Sequence, residues 1–271
     1  MKFIQILLNL IPNFKGKLRL AKLVVRNKNH ERYFTTKNGL NYFVPNLIEN
    51  VSFELFVNGI YEKDTIDLIC KSIPKNGIFI DVGANIGAIA LTVAKFRPDV
   101  EIHAFEASTK IFKFLEINKK TNHLNNLNIY NFAIHEEHNK NLLFYSPDLL
   151  NGKGSFAPVF TDSAEEVISK NLDVFFEEKK LKPNFVKIDV EGFELTVFKS
   201  MKDFIHKSCN CIFLFEFVDW AEKLSGFEVG ESQSFFLDKG YKLFKMSGEQ
   251  IQQPLVSGNY MIVANKEPKK L

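Results

Sequence analysis

The stretch Ile78–Gly87, which reads IFIDVGANIG, constrains the fold more than any other part of the chain. Apolar residues that favour β structure lead into Asp81, and an apolar helical pattern begins at Ile86. Gly83 and Gly87 remove side chains where a ligand or a neighbouring helix must approach the backbone closely. The free N–H groups at the start of the helix can bind polar ligand atoms. The stretch therefore predicts a buried strand that enters a ligand-binding turn.

Strand and helix patterns alternate from this turn onward. The pattern predicts helices at 86–96, 109–120, 193–201 and 229–239, and strands at 78–82, 100–105, 127–134, 142–145, 185–190, 211–217, 241–246 and 259–264. Such alternation is typical of an α/β fold, and we expect a Rossmann-like, doubly wound, mainly parallel seven-stranded sheet with helices on both faces. Ligands on such sheets bind past the carboxyl ends of the strands.

A small N-terminal helix and hairpin extension precedes this domain, and we expect the boundary to divide residues 1–70 from 71–271. Two strand patterns flank Asn38-Gly39, the dipeptide favoured in hairpin turns. Residues 1–30 contain seven Lys or Arg residues and no acid. Two interpretations stay open for this basic segment. It either packs on the domain as an ordinary helix, or lies on an anionic membrane or beside a lipid-linked substrate.

Composition excludes several classes of protein. The formal net charge of +3 is too small to indicate a nucleic-acid binder. The three cysteines are odd in number and lack the spacing of a zinc site, which predicts a reduced, cytoplasmic protein. The apolar run at 3–11 is too short to span a bilayer, and no signal-peptide cleavage site follows it. The expected location is therefore cytoplasmic, with peripheral contact to a membrane left open.

Acidic residues end several of the predicted strands. Asp81 ends the first strand, Glu106 ends the second, and Asp189 ends the strand at 185–190, with Glu191 and Glu194 just after it. Because the carboxyl ends of parallel strands share one edge, these carboxylates should converge. Glu106 follows Gly87 by 19 residues, about where such folds place an acid that accepts hydrogen bonds from ribose hydroxyls. Each acid taken alone could equally cap a helix or sit in a solvated turn.

The turn sequence narrows the choice of ligand. It lacks the G-x-G-x-x-G pattern of dinucleotide-binding proteins and the G-x-x-x-x-G-K-[ST] phosphate loop. A ligand without phosphate fits better, and the acidic surroundings suit a cationic one. S-adenosylmethionine has a ribose, an adenine, an amino-acid tail and a positive sulfonium, whereas a nicotinamide cofactor is disfavoured.

Three segments carry a family resemblance, namely Ile80–Gly87, Ala104–Ala107 and Val186–Leu195 (VKIDVEGFEL). Together they resemble the FkbM-type S-adenosylmethionine-dependent methyltransferases of the class I superfamily. The K-I-D-V-E-G-x-E block is the most specific of the three. The similarity extends over about two thirds of the chain, from residue 58 to residue 241.

The resemblance implies cofactor-binding roles for Glu62, Asp81, Gly83, Asn85, Gly87, Glu106, Ala107 and Ala133. Glu106 would hold the ribose, while Ala107 and the segment around Ala133 would border the adenine. Ala107 replaces a proline that the family often has. Asn85 would take the strained position of the turn, which asparagine tolerates better than most residues.

The expected catalytic residues are Asp189, Glu191 and Glu194. They could act as a base or orient the acceptor, cap the following helix, or bind a divalent metal; we assign no metal site. Glu216 could line an acceptor pocket or belong to a turn. Trp220 is expected in the core, with a platform for the substrate as the alternative.

The function expected from these residues is O-methylation of a hydroxyl on a sugar or glycan precursor. One alternative is a non-catalytic S-adenosylmethionine-binding subunit of a glycan-assembly complex. Another is a methyltransferase that acts on a non-sugar natural product. The expected partner is thus a small molecule or a glycan acceptor, not a nucleic acid, and the sequence predicts no oligomeric state.

Overall fold

The computed structural model describes residues 2–12, 14, 16–25, 28–147, 154, 156, 158, 161–208 and 210–266. Its helices in chain order are α1 (Lys2–Leu10), α2 (Lys17–Val24), α3 (Asn50–Asn58), α4 (Lys63–Ser72), α5 (Ala88–Phe96), α6 (Thr109–Thr121), α7 (Leu172–Lys179), α8 (Glu194–Ser200), α9 (Lys202–Lys207), α10 (Asp219–Leu224) and α11 (Glu231–Leu237). Its strands are β1 (Arg32–Thr35), β2 (Asn41–Val44), β3 (Ile78–Val82), β4 (Glu101–Phe105), β5 (Leu127–Tyr130), β6 (Ala133–Ile134), β7 (Asn141–Tyr145), β8 (Ala164–Lys170), β9 (Phe185–Ile188), β10 (Ile212–Val218), β11 (Lys242–Lys245), β12 (Gln250–Ile251) and β13 (Asn259–Asn265).

The central sheet has the strand order β12-β11-β13-β10-β9-β3-β4-β5. The five strands from β10 to β5 are parallel, whereas β13 and β11 complete the sheet with antiparallel pairings. The doubly wound, mainly parallel fold is thus confirmed. This central sheet has eight described strands rather than the seven expected, because the two-residue β12 pairs with β11 at its edge. Strand order reverses between β3 and β9, which is where ligands bind in such sheets.

Helices cover both faces of this sheet because its central strands are apolar on both sides. On β3, Phe79 points to a core cluster that includes α4 and α5. Ile80 and Val82 point to the opposite cluster, which includes α7 and α8. Alternation along one strand therefore assigns each side chain at the sheet edge to one face or the other.

The predicted strand at 127–134 is two strands in the structure, interrupted at 131–132. Asn131 donates its side-chain amide to the carbonyl oxygens of Glu106 and Ala107, at 2.9 and 3.0 Å. These bonds draw the chain out of the central sheet, so β5 ends at Tyr130 and β6 pairs with β8 instead. The sequence pattern also missed β8, because only Val167 and Ser169 of its seven residues are buried and the apolar signal is weak.

The N-terminal extension packs on the same core as the central sheet. The hairpin of β1 and β2 turns through Gly39, whose φ is +77°, as the Asn-Gly dipeptide predicts. Leu8, Ala21 and Tyr42 belong to one buried cluster with Phe79. The boundary between residues 70 and 71 stays a prediction. Among the described residues no helix has the length and apolar character to cross a bilayer.

Candidate functional site

The turn after β3 fits tightly between two neighbouring strands. The N–H groups of Gly83 and Ala84 both donate to the carbonyl oxygen of Phe105 at the end of β4, at 3.0 and 2.9 Å. Gly83 has a φ of +80°, and a Cβ there would lie 1.9 Å from the carbonyl oxygen of Asp189. Asn85 takes the left-handed conformation, with a φ of +53°. Only glycine fits position 83, because any side chain there would collide with the backbone that follows β9.

Strand register brings several charged side chains to one face of the sheet edge. Asp81 on β3 and Lys187 on β9 are register partners, and Lys187 in turn is the register partner of Leu214 on β10. Since side chains alternate along a strand, Asp189 and Glu216, each two residues further on, point to the same face. The Nζ of Lys187 lies 3.1 Å from Asp189 Oδ2 and 3.8 Å from Asp81 Oδ1.

These side chains line a cavity of about 290 Å³, which we call the acidic cavity. Its walls come from the N-terminal end of α3, the turn before α4, the β3 turn, and the ends of β9 and β10. Lys187, Tyr61, Trp220 and Asn259 also line it. Six carboxylates face this space, from Glu49, Glu62, Asp81, Asp189, Glu191 and Glu216.

Burial dominates the electrostatics of the acidic cavity. It raises the pKa of Asp81 to about 6, although the nearby Lys187 ammonium acts in the opposite direction. The pKa of Glu216 rises to about 9, because burial is reinforced by the charges of Asp189 and Glu191. Burial alone would lower the pKa of Lys187, but the carboxylates of Asp189 and Asp81 outweigh it and raise the pKa. The lysine therefore stays charged, and Glu216 is protonated near neutral pH.

A second cavity, which we call the aromatic cavity, lies on the opposite face of the sheet edge. It is narrow, with a volume of about 60 Å³. Glu106 lies in its wall, and its two carboxylate oxygens accept hydrogen bonds of 2.8 Å from the N–H groups of Asn85 and Ser108. Burial raises the pKa of Glu106 to about 7 even though these bonds favour the charged form. The apolar part of the wall includes Ala107, Phe132, Ala133, Ile134, Phe144 and Phe156.

The two cavities meet at four residues that line both of them, Gly83, Asn85, Asp189 and Glu191. Glu191 is held there by an unusual backbone, since its φ is +53° and that of Gly192 is +100°. Glu194 stabilises this turn, because its carboxylate accepts a 3.0 Å hydrogen bond from the N–H of Val190. Burial raises the pKa of Glu194 to about 8. A ligand that occupies both cavities must therefore lie across Gly83, Asn85, Asp189 and Glu191.

The structure brings most of the predicted site residues to these two cavities. Glu62, Asp81, Gly83, Asn85, Asp189 and Glu191 line the acidic cavity, and Glu106, Ala107 and Ala133 line the aromatic one. Gly87 and Glu194 belong to neither lining. A Cβ on Gly87 would lie 2.1 Å from Leu91 and 2.7 Å from Leu115, so this glycine serves the packing of α5.

Of the two positions left open for Glu216, the structure has the one at a cavity wall. The core position expected for Trp220 is wrong, since this residue is 43% exposed at the same wall. Sequence reasoning missed two other residues of the lining. Lys187 was overlooked as a site residue, although a lysine inside the apolar strand FVKIDV is a signal in itself. Nothing in the local sequence of Glu49 distinguishes it from an ordinary helix cap, a role it also has for Ser52.

Buried polar atoms show what kind of ligand fits. Neither carboxylate oxygen of Asp81 makes a hydrogen bond, and the same holds for Oε2 of Glu62. Buried carboxylate oxygens without donors are costly, so a ligand that brings donors or positive charge would relieve them. Glu106 offers further acceptor capacity on the other face. The residues present therefore fit a ligand with hydroxyl groups at one end and a cationic centre at the other. Within the described ranges, no group of three or more His, Cys, Asp or Glu is placed to hold a metal ion.

Comparison with known proteins identifies a family for this chain. A family model described as the methyltransferase FkbM domain matches residues 81–243, which is more than half of the sequence. The match begins at Asp81 and includes the ends of β3, β4, β9 and β10. It therefore covers the residues at which the two cavities meet.

The other similarities are partial or remote. The chain is 39% identical over 80 residues to the AMB antimetabolite synthetase AmbE of Pseudomonas aeruginosa, and this covers 30% of the chain and 3% of AmbE. A precorrin-6y C5,15-methyltransferase from Geobacter metallireducens has a TM-score of 0.45 and 16% identity, covering 77% of this chain and 93% of that one. A TehB-like SAM-dependent methyltransferase from Corynebacterium glutamicum has a TM-score of 0.46 and 9% identity, covering 79% of this chain and 94% of that one. At these TM-scores and identities, the structural likeness supports no conclusion about the function of this chain.

Proposed function

Because this chain belongs to the FkbM methyltransferase family, it is an S-adenosylmethionine-dependent methyltransferase, and we propose that it methylates a hydroxyl group of a sugar or glycan precursor. The observation that carries this proposal is the convergence of Asp189 and Glu191 at the place where the two cavities meet. Groups placed there can act on an acceptor in one cavity while the donor extends into the other.

The aromatic cavity suits the adenosine part of the cofactor. Glu106 would accept hydrogen bonds from the ribose hydroxyls, and Ala107 and Ala133 would border the adenine. The space is narrow, and we expect the rings of Phe144 and Phe156 in its wall to turn aside on binding. Asp81 and Glu62 would hold the amino-acid end, where their buried oxygens make no hydrogen bonds of their own.

When bound, S-adenosylmethionine supplies a methyl group on a sulfonium that is already a good leaving group. The task of the protein is then to align the acceptor and exclude water. Asp189 or Glu191 would take the proton of the acceptor hydroxyl as the new bond forms. Glu216, protonated near neutral pH, can donate a hydrogen bond to a second oxygen of the acceptor.

The remaining wall of the acidic cavity favours a polyhydroxyl acceptor. Carboxylates and the amide of Asn259 can bind several hydroxyl groups at once. Trp220 adds a half-exposed aromatic surface at the same wall, against which the apolar face of a sugar ring can pack. An anionic acceptor is disfavoured, because the acidic residues of the lining outnumber its single lysine even with Glu216 protonated.

A second candidate is methylation of a non-sugar natural product that carries an amine. The acidic lining would hold a cationic acceptor, and the partial match to the antimetabolite synthetase AmbE points to natural-product chemistry. This candidate uses the same cofactor and the same cavity. The two differ only in the acceptor atom.

A methyl-transfer assay with labelled S-adenosylmethionine separates these proposals. We expect transfer to sugar or glycan-precursor hydroxyls, and we expect Asp189→Asn or Glu191→Gln to lower the rate roughly 100-fold or more. Binding of S-adenosylhomocysteine, followed by calorimetry, should change little in these variants. Glu178→Gln, at an exposed position of α7, is the control and should keep full activity.

Three outcomes would contradict the proposal. Full activity in both site variants would show that neither Asp189 nor Glu191 takes the proton of the acceptor. Transfer to amines alone would favour the second candidate. Binding of S-adenosylhomocysteine without transfer to any hydroxyl or amine would favour a non-catalytic binding subunit.

A further inference from the structure

Helix α1 packs on the protein with both apolar and polar side chains and leaves further apolar residues outward. Leu8 and Ile4 join the core cluster. Gln5 donates its side-chain amide to the carbonyl oxygen of Thr35, and Asn9 donates to that of Phe56, each at 3.0 Å. The outward side of a short helix at the surface of a globular protein is normally polar.

The outward side of α1 is a continuous apolar stripe. It consists of Phe3, Ile6, Leu7 and Leu10, which are 72%, 50%, 47% and 75% exposed. Their spacing of i, i+3, i+4 and i+7 places them on one face of the helix. Leu8, on the other side, is buried.

Helix α2 repeats this arrangement. Leu20, Leu23 and Val24 are 57%, 77% and 51% exposed, while Ala21 is buried against the protein. Both helices pack on α3, and each also carries apolar residues on its exposed side. We call the seven exposed residues of α1 and α2 the N-terminal apolar face. Apolar patches of this kind on a protein surface mark contact with a partner or a membrane.

Charge shows which partner suits this face. Residues 1–30 contain seven Lys or Arg and no Asp or Glu, so the segment is strongly cationic. Of these, Arg19 and Lys22 lie exposed on α2 among the apolar residues, whereas Lys15 and Arg26 fall outside the described residues. Apolar side chains flanked by basic ones are the pattern of helices that lie in the interface of anionic membranes.

The length of the helices limits the mode of contact. Helix α1 has nine residues and α2 has eight. At 1.5 Å per residue each is about half as long as the hydrocarbon core is thick. They can therefore lie along a membrane surface but cannot cross it.

We propose that the N-terminal apolar face docks the protein on the surface of an anionic phospholipid membrane. Apolar residues of α1 and α2 enter the boundary between headgroups and acyl chains, and the basic residues contact the lipid phosphates. This inference is independent of the acceptor and of the methyl-transfer chemistry.

Vesicle flotation with the full-length protein tests the proposal. We expect the protein to float with vesicles of equimolar phosphatidylcholine and phosphatidylglycerol, and to bind vesicles of phosphatidylcholine alone at least tenfold more weakly. Leu10→Glu combined with Leu23→Glu should reduce binding to the anionic vesicles at least tenfold. The matched control, Leu143→Glu with Val256→Glu, adds the same charge at positions that are 54% and 75% exposed, and it should bind like the wild type.

A second variant isolates the role of charge. Arg19→Gln combined with Lys22→Gln should weaken binding to the anionic vesicles and make it less sensitive to salt, because two phosphate contacts are lost. Thermal unfolding of every variant, followed by circular dichroism, separates loss of binding from loss of the fold.

The proposal is overturned if the wild type does not float with anionic vesicles, or if it binds neutral vesicles equally well. It is also overturned if a folded Leu10→Glu, Leu23→Glu variant binds as tightly as the control. Light scattering adds one more outcome. A dimer of the wild type that this variant abolishes, without any vesicle binding, would assign the face to a second copy of the chain.

Discussion

Glu106 accepts two backbone hydrogen bonds, from Asn85 and Ser108, and burial still raises its pKa to about 7. Ligand hydroxyls that donate to the carboxylate would favour its charged form. We therefore expect S-adenosylhomocysteine to bind more weakly as the pH falls below about 7, where the free carboxyl takes up a proton.

Glu106→Gln should weaken binding of S-adenosylhomocysteine by roughly 10- to 100-fold, the cost of losing hydrogen bonds to a charged group. It should also reduce the dependence of affinity on pH around neutrality. Calorimetric titration of the variant and the wild type at several pH values measures both effects. Glu101→Gln, at the other end of β4, is the control. If the two variants bind S-adenosylhomocysteine with equal affinity, Glu106 does not contact the cofactor.

Glu194 makes stability depend on pH. Its pKa is about 8 in the folded protein and near 4.5 in the unfolded chain, so between these values the folded state binds more protons. Stability from this group is then present below about pH 4.5 and is lost as the pH rises toward 8.

Glu194→Gln should remove this loss, because glutamine stays neutral and keeps an oxygen for the N–H of Val190. Its free energy of unfolding should exceed that of the wild type increasingly from about pH 5 to about pH 8, by up to a few kcal/mol. Urea denaturation at each pH measures the difference. The exposed control is Glu116→Gln. If Glu194→Gln changes the free energy of unfolding by the same amount at every pH, as the control should, then Glu194 is not a buried, protonated group.

At the scale of single residues, the sequence indicated those acids that end strands. Asp81, Glu106 and Asp189 follow apolar runs, and the topology of a parallel sheet places such residues at one edge. Glu49 carried no such signal, and the lysine inside the apolar strand FVKIDV did not by itself place Lys187 at a cavity. Their place at the cavity depends on strand register and on the packing of α3, which the order of residues along the chain does not specify.

At the scale of elements, the turn after β3 is held against the end of β9 by the absence of a side chain at Gly83. Gly83→Ala would place a Cβ 1.9 Å from the carbonyl oxygen of Asp189, in addition to the strain of a φ of +80°. Gly240→Ala is a matched control, because Gly240 has a φ of +78° and nothing within 4 Å of the added atom.

We expect Gly240→Ala to lower the free energy of unfolding by about 1–2 kcal/mol, the cost of a left-handed conformation alone. Gly83→Ala should lower it further and weaken binding of S-adenosylhomocysteine, since the two strand ends must separate. Urea denaturation and calorimetry measure these two effects. Equal stability of the two variants would mean that the turn and the end of β9 do not pack as closely as described.

The elements that the sequence predicted well are those with strong apolar patterns, such as β3, α5, β4 and β9. Residues 127–134 show the limit of that reasoning. The apolar pattern continues past Tyr130, but the hydrogen bonds of the Asn131 side chain transfer the next residues to a different sheet. A contact between distant segments thus overrides a local preference.

At the scale of the whole molecule, the central sheet separates two cavities and joins them at its carboxyl edge. The acidic cavity adjoins the cluster that contains α3 and α5, and the aromatic cavity adjoins the cluster that contains α7 and α8. The sequence predicted a single edge where acids converge. It did not indicate that this edge has two sides with different chemistry, because that division follows from the alternation of side chains across the sheet.

A crystal structure of the protein with S-adenosylhomocysteine tests the central claim most directly. We predict that the adenosine occupies the aromatic cavity, with the ribose on Glu106 and the rings of Phe144 and Phe156 displaced. The sulfur should lie over the residues that line both cavities, next to the side chains of Asp189 and Glu191, and the amino-acid tail should reach Asp81. Adenosine bound in the acidic cavity, with the aromatic cavity still closed, would contradict this assignment of donor and acceptor sites.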